Sequence, residues 1–600
     1  MKQILSGNEA IARGAYEAGV RLACAYPGTP STEILESVAG YPEIYSEWTP
    51  NEKVAMEVGL GSSLAGARTL VCMKHVGVNV AADPLFTASY TGVEGGLVLV
   101  SADDPDLHSS QNEQDNRNYA RFVKIPLIEP ADSQEAKDLL KLAFEISERF
   151  DTPVLFRSTT RISHSKGLVQ LHERPELEPL RKPEKKTSKY TMLPAFARQK
   201  HPKVEERIRE LSAYGSGVDA NRIEEGDARI GIISSGISYQ YAREAFPEAS
   251  FLKLALSYPL PVELVRKFRS QVEKLYVVEE LDPFLEQELV WMGVQVDGGK
   301  DLLSLCGELD PGTIARALTE AGVPDADPTF LESGTAPGAA DLPMRPPTLC
   351  PGCSHRGIFT TLRRLGVYVC GDIGCYTLGA LPPLEAMHSC VCMGAGVGMA
   401  HGMSKVTGDT GRIRDKAVSV IGDSTFFHSG VTGLMNIVWN KGSAVTIILD
   451  NRTTAMTGGQ NNPGTGRTLD EQEAPEVDIP ALAEALGIKH VRELDPYDLD
   501  AVESVLKEEL SNPDPSVIIA KGPCVLEYKI EEEPYMVDLS ICDGCGRCLR
   551  VGCVALGLKQ EGDKKWVEID ESLCTGCSVC AQMCRPEAIV APGKMEEVKS

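Results

Sequence analysis

The chain has 600 residues, 42% of them hydrophobic, enough for several buried cores and for roughly three to five domains. Its net charge of −25 argues against nucleic acid as the main partner and leaves a basic electron carrier, or simple solubility, as the reading of that balance. The opening MKQILSGNEA lacks the apolar core of a secretory signal, and no run reaches the roughly 18 apolar residues of a membrane helix, so a soluble cytoplasmic protein is expected. Without a secretory context, 18 cysteines point to metal or redox chemistry rather than to disulfides.

Residues 1–165 alternate strand and helix signals, with strands predicted at 20–26, 69–73, 97–101 and 154–157. Ser31 reads as the N-cap of a helix starting at Thr32, and Asp132-Ser133-Gln134-Glu135 has capping-box form before a helix ending at Phe150. A helix of small residues begins at Asn51-Glu52 and runs to about Ala67, with Glu52 where the helix dipole favours a carboxylate. Lys74, His75 and Gly77-Val78-Asn79 read as a loop after the second of these strands. The pattern is that of a doubly wound α/β domain.

Residues 166–228, which include Arg181-Lys182-Pro183-Glu184-Lys185-Lys186, are charged and weakly patterned, a connector with one helix near 203–213. A second α/β domain follows at 229–325, with strands at 229–234 and 275–279, and residues 326–347, rich in Pro, Gly and Ala, read as a linker.

The region 348–530 holds the most informative unit. A β-branched run at 417–421 ends at Gly422-Asp423-Ser424, a helix carries Leu434, Ile437 and Val438 on one face, and a second run at 445–449 ends at Asp450-Asn451. A right-handed crossover sets the two strands parallel with their carboxyl ends side by side, the edge at which open α/β sheets place ligands. The Asp423 carboxylate, the Asn451 amide oxygen and a backbone carbonyl such as that of Thr453 make a hard oxygen site suited to Mg²⁺ with phosphate. The pair Cys350 and Cys353, ahead of His355, fits a zinc knuckle, a redox pair or neither. The Gly394–Gly398 run lacks the acidic partner of a dinucleotide fingerprint. Cys24, Cys72, Cys306, Cys370, Cys390 and Cys392 read as buried, inert thiols.

In the tail, 531–600, Cys542, Cys545, Cys548 and Cys553 are echoed by Cys574, Cys577, Cys580 and Cys584. Repeated triplets at this spacing mark a two-cluster ferredoxin fold, in which the last cysteine of each run serves the other cluster. Cys542, Cys545, Cys548 and Cys584 then hold one [4Fe-4S] cluster, and Cys553, Cys574, Cys577 and Cys580 the second; a zinc module is the alternative. The first run has one residue more before its last cysteine, and neither last cysteine is followed directly by Pro.

Gly422-Asp423-Ser424 with the later Asn451 resembles the metal and diphosphate signature of thiamine diphosphate enzymes. Ser424 stands where Gly is usual, a departure the 2-oxoacid:ferredoxin oxidoreductases tolerate. Glu52 before its small-residue helix, Tyr26-Pro27-Gly28-Thr29-Pro30 and the ferredoxin-like tail resemble the same family over essentially the whole chain. The resemblance implies a multidomain thiamine diphosphate-binding α/β fold of doubly wound parallel sheets with a C-terminal two-[4Fe-4S] ferredoxin-like domain. Domain 1–165 would bind the pyrimidine, 229–325 would be the transketolase C-terminal-like assembly domain, and 348–530 would hold diphosphate and Mg²⁺.

It further implies that Glu52 shares a proton with the aminopyrimidine, that Thr29 faces the substrate and that Lys74, His75 and Asn79 meet its carboxylate. His355, Ser424 and Thr453 would contact the cofactor and its metal, and the helix start at 394–398 would pack against the diphosphate. Cys350, Cys353, Cys375 and Cys524 match the order of a third, proximal [4Fe-4S] cluster. The implied enzyme oxidatively decarboxylates aryl pyruvates, indolepyruvate among them, to aryl-acyl-CoA and reduces ferredoxin, with a smaller beta subunit in an α2β2 hetero-oligomer. Neither nucleic acid nor membrane is an expected partner. The rivals are the same chemistry on another 2-oxoacid, a non-oxidative decarboxylase or carboligase with a structural tail, and a non-catalytic electron-transfer subunit.

Overall fold

The computed structural model describes every residue except 181–184, 333–344, 408–415, 529, 531 and 593–600. Most of the expected linker and the start of the basic stretch at 181–186 therefore lie outside the described residues. The chain divides into two compact units, Met1–Leu342 and Pro343–Ser600.

In the first unit the main sheet contains β1 (Leu22–Ala25), β2 (Tyr45–Trp48), β3 (Thr69–Lys74), β4 (Leu97–Asp103), β5 (Leu127–Ile128) and β6 (Val154–Thr159). They lie parallel in the order β2-β1-β3-β4-β6-β5. Every residue of β3, β4 and β6 is buried, which is why these strands read as continuous apolar runs rather than as alternation. A second sheet places β7 (Asp227–Ser235) beside β8 (Ala249–Leu254). The next strand, β9 (Leu256–Tyr258), leaves that sheet and pairs antiparallel with β5 at the edge of the first. Strand β10 (Lys274–Val278) returns to lie parallel to β7. One apolar cluster runs through both sheets, from Val71 and Leu99 to Ile233, Leu252 and Val277.

Helix α1 (Glu52–Leu64) starts where the Asn51 side chain accepts from the Val54 N–H at 2.9 Å. Helix α2 (His75–Thr91) corrects the expected loop at 77–79, because β3 runs directly into it. Its buried His75, Val78, Ala81, Leu85 and Ala88 recur at helical spacing, and that period outweighs the local Gly and Pro84. Ser31 does not cap the following helix. Its hydroxyl donates to the Gly28 carbonyl at 2.7 Å, closing the Pro-Gly turn instead.

The second unit is built on a five-stranded, wholly parallel sheet. Its strands are β11 (Tyr368–Cys370), β12 (Ala417–Gly422), β13 (Val445–Asp450), β14 (His490–Leu494) and β15 (Ser516–Lys521), in the order β11-β12-β13-β15-β14. Helices α3 (His355–Leu365), α4 (Ala395–Thr407) and α5 (Val431–Trp439) pack into separate cores on its faces, α5 through Leu434 and Ile437. The tail adds two antiparallel pairs, Met536–Val537 with Ile589–Val590 and Leu556–Glu561 with Lys564–Ile569. Among the described residues no helix is long and apolar enough to cross a membrane.

Candidate functional site

In the first unit the chain runs outward from β1 to β2 and returns to β3, which lies on the other side of β1. The crevice at such a reversal, beyond the carboxyl ends of the strands, is where open α/β sheets bind ligands. Thr29 follows β1, Glu52 follows β2, Lys74 ends β3 and His75 follows it. Glu52 is buried, 5% exposed, at the first position of α1. It lies against Gly77 of α2, where a Cβ would come within 2.7 Å of both Glu52 Cγ and Oε1. Only a glycine at 77 leaves the Glu52 carboxyl this position.

Lys74 is buried, its Nζ donates to the Ser109 carbonyl at 2.5 Å, and burial draws its pKa down to about 8. The residues expected on a loop facing a substrate carboxylate are thus tied within the unit: His75 Nε2 lies 3.3 Å from Asn112 Oδ1, and Asn79 exchanges hydrogen bonds with Gln114 at 3.0 Å. Thr29, half-buried, lines an open cavity of about 430 Å³ with Asp104, Ser109, Thr160, Arg161 and His164. That volume is in the range of small-molecule sites. Asp104 there is satisfied by Thr160 Oγ1 at 2.6 Å and Ser110 Oγ at 2.5 Å, and Arg161 is held by Glu308 at 2.7 Å.

In the second unit the carboxyl ends of β11, β12, β13 and β15 deliver Asp372, Asp423, Asn451 and Cys524 to one edge. Asp423 is buried; burial and the nearby charge of Asp450 push its carboxyl up to about 7, while a hydrogen bond from Asn462 Nδ2 at 3.1 Å pulls it down. One terminal atom of the Asn451 amide stands 2.8 Å from the Thr453 carbonyl oxygen and 3.1 Å from Asp423 Oδ1. With nitrogen at that point the amide donates to both. With oxygen there, three oxygens converge on one spot, the arrangement a hard cation demands. A carboxylate, an amide and a main-chain carbonyl around a buried, charge-strained Asp423 fit Mg²⁺ and, through it, a diphosphate. Ser424 Oγ accepts from Thr454 Oγ1 at 2.9 Å beside this point, and Phe426–Gly430 continues as a π-helical turn. His355, at the start of α3, is buried edge-on to Tyr376, and burial lowers its pKa to about 4, so its imidazole is neutral at physiological pH.

No sequence motif marks Asp372, although Gly371-Asp372 follows a strand much as Gly422-Asp423 ends one. Its Oδ1 accepts from the Gly394 N–H at 2.8 Å and its Oδ2 from the Gly396 N–H at 3.1 Å. The start of α4, expected to face a diphosphate, therefore already has an internal anion on its orphan donors.

The thiols fall into three sets. Cys350, Cys353, Cys375 and Cys524 gather beside the oxygen site: burial raises Cys353 to about 12 and Cys375 to about 11, and the charges of the neighbouring cysteines in this set add to the rise. The Cys524 N–H donates to the Asn451 carbonyl at 3.0 Å, and Ser354 Oγ donates to the Gly522 carbonyl at 2.9 Å, docking the CxxC loop on the end of β15. In the tail, Cys553, Cys574, Cys577 and Cys580 line one cavity, and Cys542, Cys545, Cys548 and Cys584 line another. All eight are free thiols. Thr575 Oγ1, in the wall of the first cavity, is buried with no hydrogen-bond partner among the described residues. Four thiols around a cavity and an unanswered hydroxyl in its wall fit a multi-iron cluster, whose sulfurs can accept that hydrogen bond. Among the described residues no three His, Cys, Asp or Glu side chains close on one point as ligands of a single ion do; a cluster instead takes one thiolate at each iron.

Three of the cysteines expected to be buried and inert are not enclosed. Cys306 and Cys392 are exposed and Cys390 is half-buried, whereas Cys24, Cys72 and Cys370 are buried. All three lie in loops, where apolar periodicity says nothing about depth.

Two family models match the chain. One, described as "Pyruvate flavodoxin/ferredoxin oxidoreductase, thiamine diP-bdg", covers residues 13–213, and the other, "Thiamine pyrophosphate enzyme, C-terminal TPP binding domain", covers residues 372–520. Proteins named indolepyruvate oxidoreductase subunit IorA from Archaeoglobus fulgidus and Methanothermobacter thermautotrophicus are 41% and 40% identical, each over 99% of this chain and 98% of their own length. The protein of that name from Pyrococcus horikoshii is 39% identical over 97% of this chain and 96% of its own.

Proposed function

Because the chain belongs to the thiamine diphosphate-dependent 2-oxoacid oxidoreductase family of indolepyruvate oxidoreductase subunit IorA, we propose that it oxidatively decarboxylates an aryl pyruvate, indolepyruvate foremost. The products are aryl-acyl-CoA and reduced ferredoxin. The relatives' description as a subunit supports a partner subunit; we take that partner to be a smaller beta subunit in an α2β2 assembly.

Thiamine diphosphate, when bound, supplies the electron sink that lets carboxylate leave as CO₂. Asp423, Asn451 and the Thr453 carbonyl would hold Mg²⁺ against the diphosphate, with Ser424 and neutral His355 beside it. Glu52, in place against Gly77, would exchange a proton with the aminopyrimidine nitrogen, which is general acid–base work at hydrogen-bond range. Thr29 would orient the substrate from the rim of its cavity. The thiol sets would carry clusters that take electrons one at a time.

One observation carries the oxidative reading over a plain decarboxylase: the Cys524 N–H rests on the Asn451 carbonyl, so a four-thiol set adjoins the oxygen site. Non-oxidative chemistry has no use for thiols at that place. The test is an anaerobic assay of chain plus beta subunit with CoA, a series of 2-oxoacids, and ferredoxin or a viologen dye. Dye reduction fastest with aryl pyruvates is expected; aldehyde release without dye reduction would favour the carboligase reading. In the same assay Glu52→Gln should abolish turnover and leave the iron content unchanged.

A further inference from the structure

Arg356 is among the largest side chains fully buried in the molecule, 1% exposed. It is the second residue of α3, at the positive end of the helix dipole, where a cation is disfavoured. Its guanidinium is held by main-chain carbonyls from two segments. Nε donates to Cys350 at 3.1 Å and Nη2 to Leu349, while Nη1 donates to Val551 at 3.0 Å and Gly552 at 2.6 Å. Among the described residues no carboxylate pairs with it. A buried charge without a counter-charge is costly, so an anion belongs nearby.

The two segments that Arg356 joins each lead into a thiol set. Leu349-Cys350 opens the CxxC loop beside the oxygen site, and Val551-Gly552 precedes Cys553 of the tail. Arg356 itself lines the cavity of Cys553, Cys574, Cys577 and Cys580. The two CxxC loops also touch: Thr575, between Cys574 and Cys577, lies so close over Gly352 that a Cβ there would meet Thr575 Oγ1 at 2.0 Å. Tyr497 OH donates to the Gly352 carbonyl at 2.7 Å and packs near Cys577. The other tail cavity, of Cys542, Cys545, Cys548 and Cys584, does not include Arg356 in its lining.

We propose that Arg356 is the shared buried counter-cation of the two adjoining clusters, a positioning residue that holds their loops together and makes both easier to reduce. The inference rests on the cluster reading given above. Net charge and hydrogen bonding around the sulfurs set the potential of such clusters, and a fixed positive charge favours the reduced, more negative state. The contact of the two CxxC loops, rather than the charge, sets the Cys553 set next to the oxygen-site thiols.

The test is a redox titration of the assembled enzyme followed by electron paramagnetic resonance, with iron counted per chain, for the wild type, R356M and R356K. In R356M two of the three reduction steps should move to lower potential while the third stays, and R356K should restore most of that shift. Three unmoved steps in an R356M with wild-type iron content would overturn the proposal. Should R356M lose iron, the proposal expects the loss from the two sites flanking residue 356 and retention in R356K; an R356K equally poor in iron would overturn it. A wild type that binds no iron would sink the cluster reading itself, a result distinct from both.

Discussion

Gly77 decides where the Glu52 carboxyl stands, because the side-chain atoms of Glu52 occupy the space a Cβ would need. In Gly77→Ala the flexible carboxylate moves rather than the helix, so the fold survives and the proton exchange suffers. Turnover should fall on the order of 10- to 100-fold, as misplacements near an ångström do, with unchanged iron content and melting temperature in the same preparation. Glu280 shows the opposite case, a buried carboxyl kept for packing. Burial raises it to about 7, against a hydrogen bond from the Leu309 N–H at 3.1 Å. Its folded pKa lies above the unfolded one, so the folded state holds more protons between about pH 4.5 and 7, and stability is lost as pH rises through that window. Glu280→Gln should therefore raise the melting temperature at pH 8 and change it little near pH 5, read by scanning calorimetry at the two values.

Among the elements, α4 depends on a residue from a neighbouring strand end. Asp372 answers the N–H of Gly394, just before the helix, and that of Gly396 in its first turn, so the helix start is capped from the segment after β11 rather than from its own sequence. Removing such a cap costs about 1 kcal/mol. Asp372→Ala should lower the melting transition of the second unit by about 2–4 °C, measured at constant pH. The edge strand β9 makes the same point for sheets. Three residues long, it sits on the first sheet although its sequence neighbours β8 and β10 belong to the second. No periodicity can announce that exchange, because three residues do not make a pattern.

For the whole molecule, the division into Met1–Leu342 and Pro343–Ser600 gives each unit its own cores. All three thiol sets lie in the second unit. Anything that binds the folded state alone stabilises it, so cluster removal should act on that unit and spare the first. Anaerobic iron extraction is expected to lower one calorimetric transition and leave another in place; a uniform downward shift of both would count against independent units.

Chemistry was legible wherever it is written locally. Gly422-Asp423 and Asn451 end strands that a β-branched run announces, Glu52 follows an N-cap, and the repeated cysteine spacing names the tail thiols. These signals are short-range, set by backbone period and by which side chains can ligate. What only the tertiary structure decided depends on segments far apart in the chain. It draws Cys524 onto Asn451, brings Asp372 to the start of α4, and sets Thr575 over Gly352. It also buries Arg356 between two loops nearly two hundred residues apart. From sequence an arginine at a helix start reads as a solvated surface charge. Only the packing around it shows a cation taken out of water with no carboxylate among the described residues to answer it, because burial is a property of what folds against a residue and not of the residue itself.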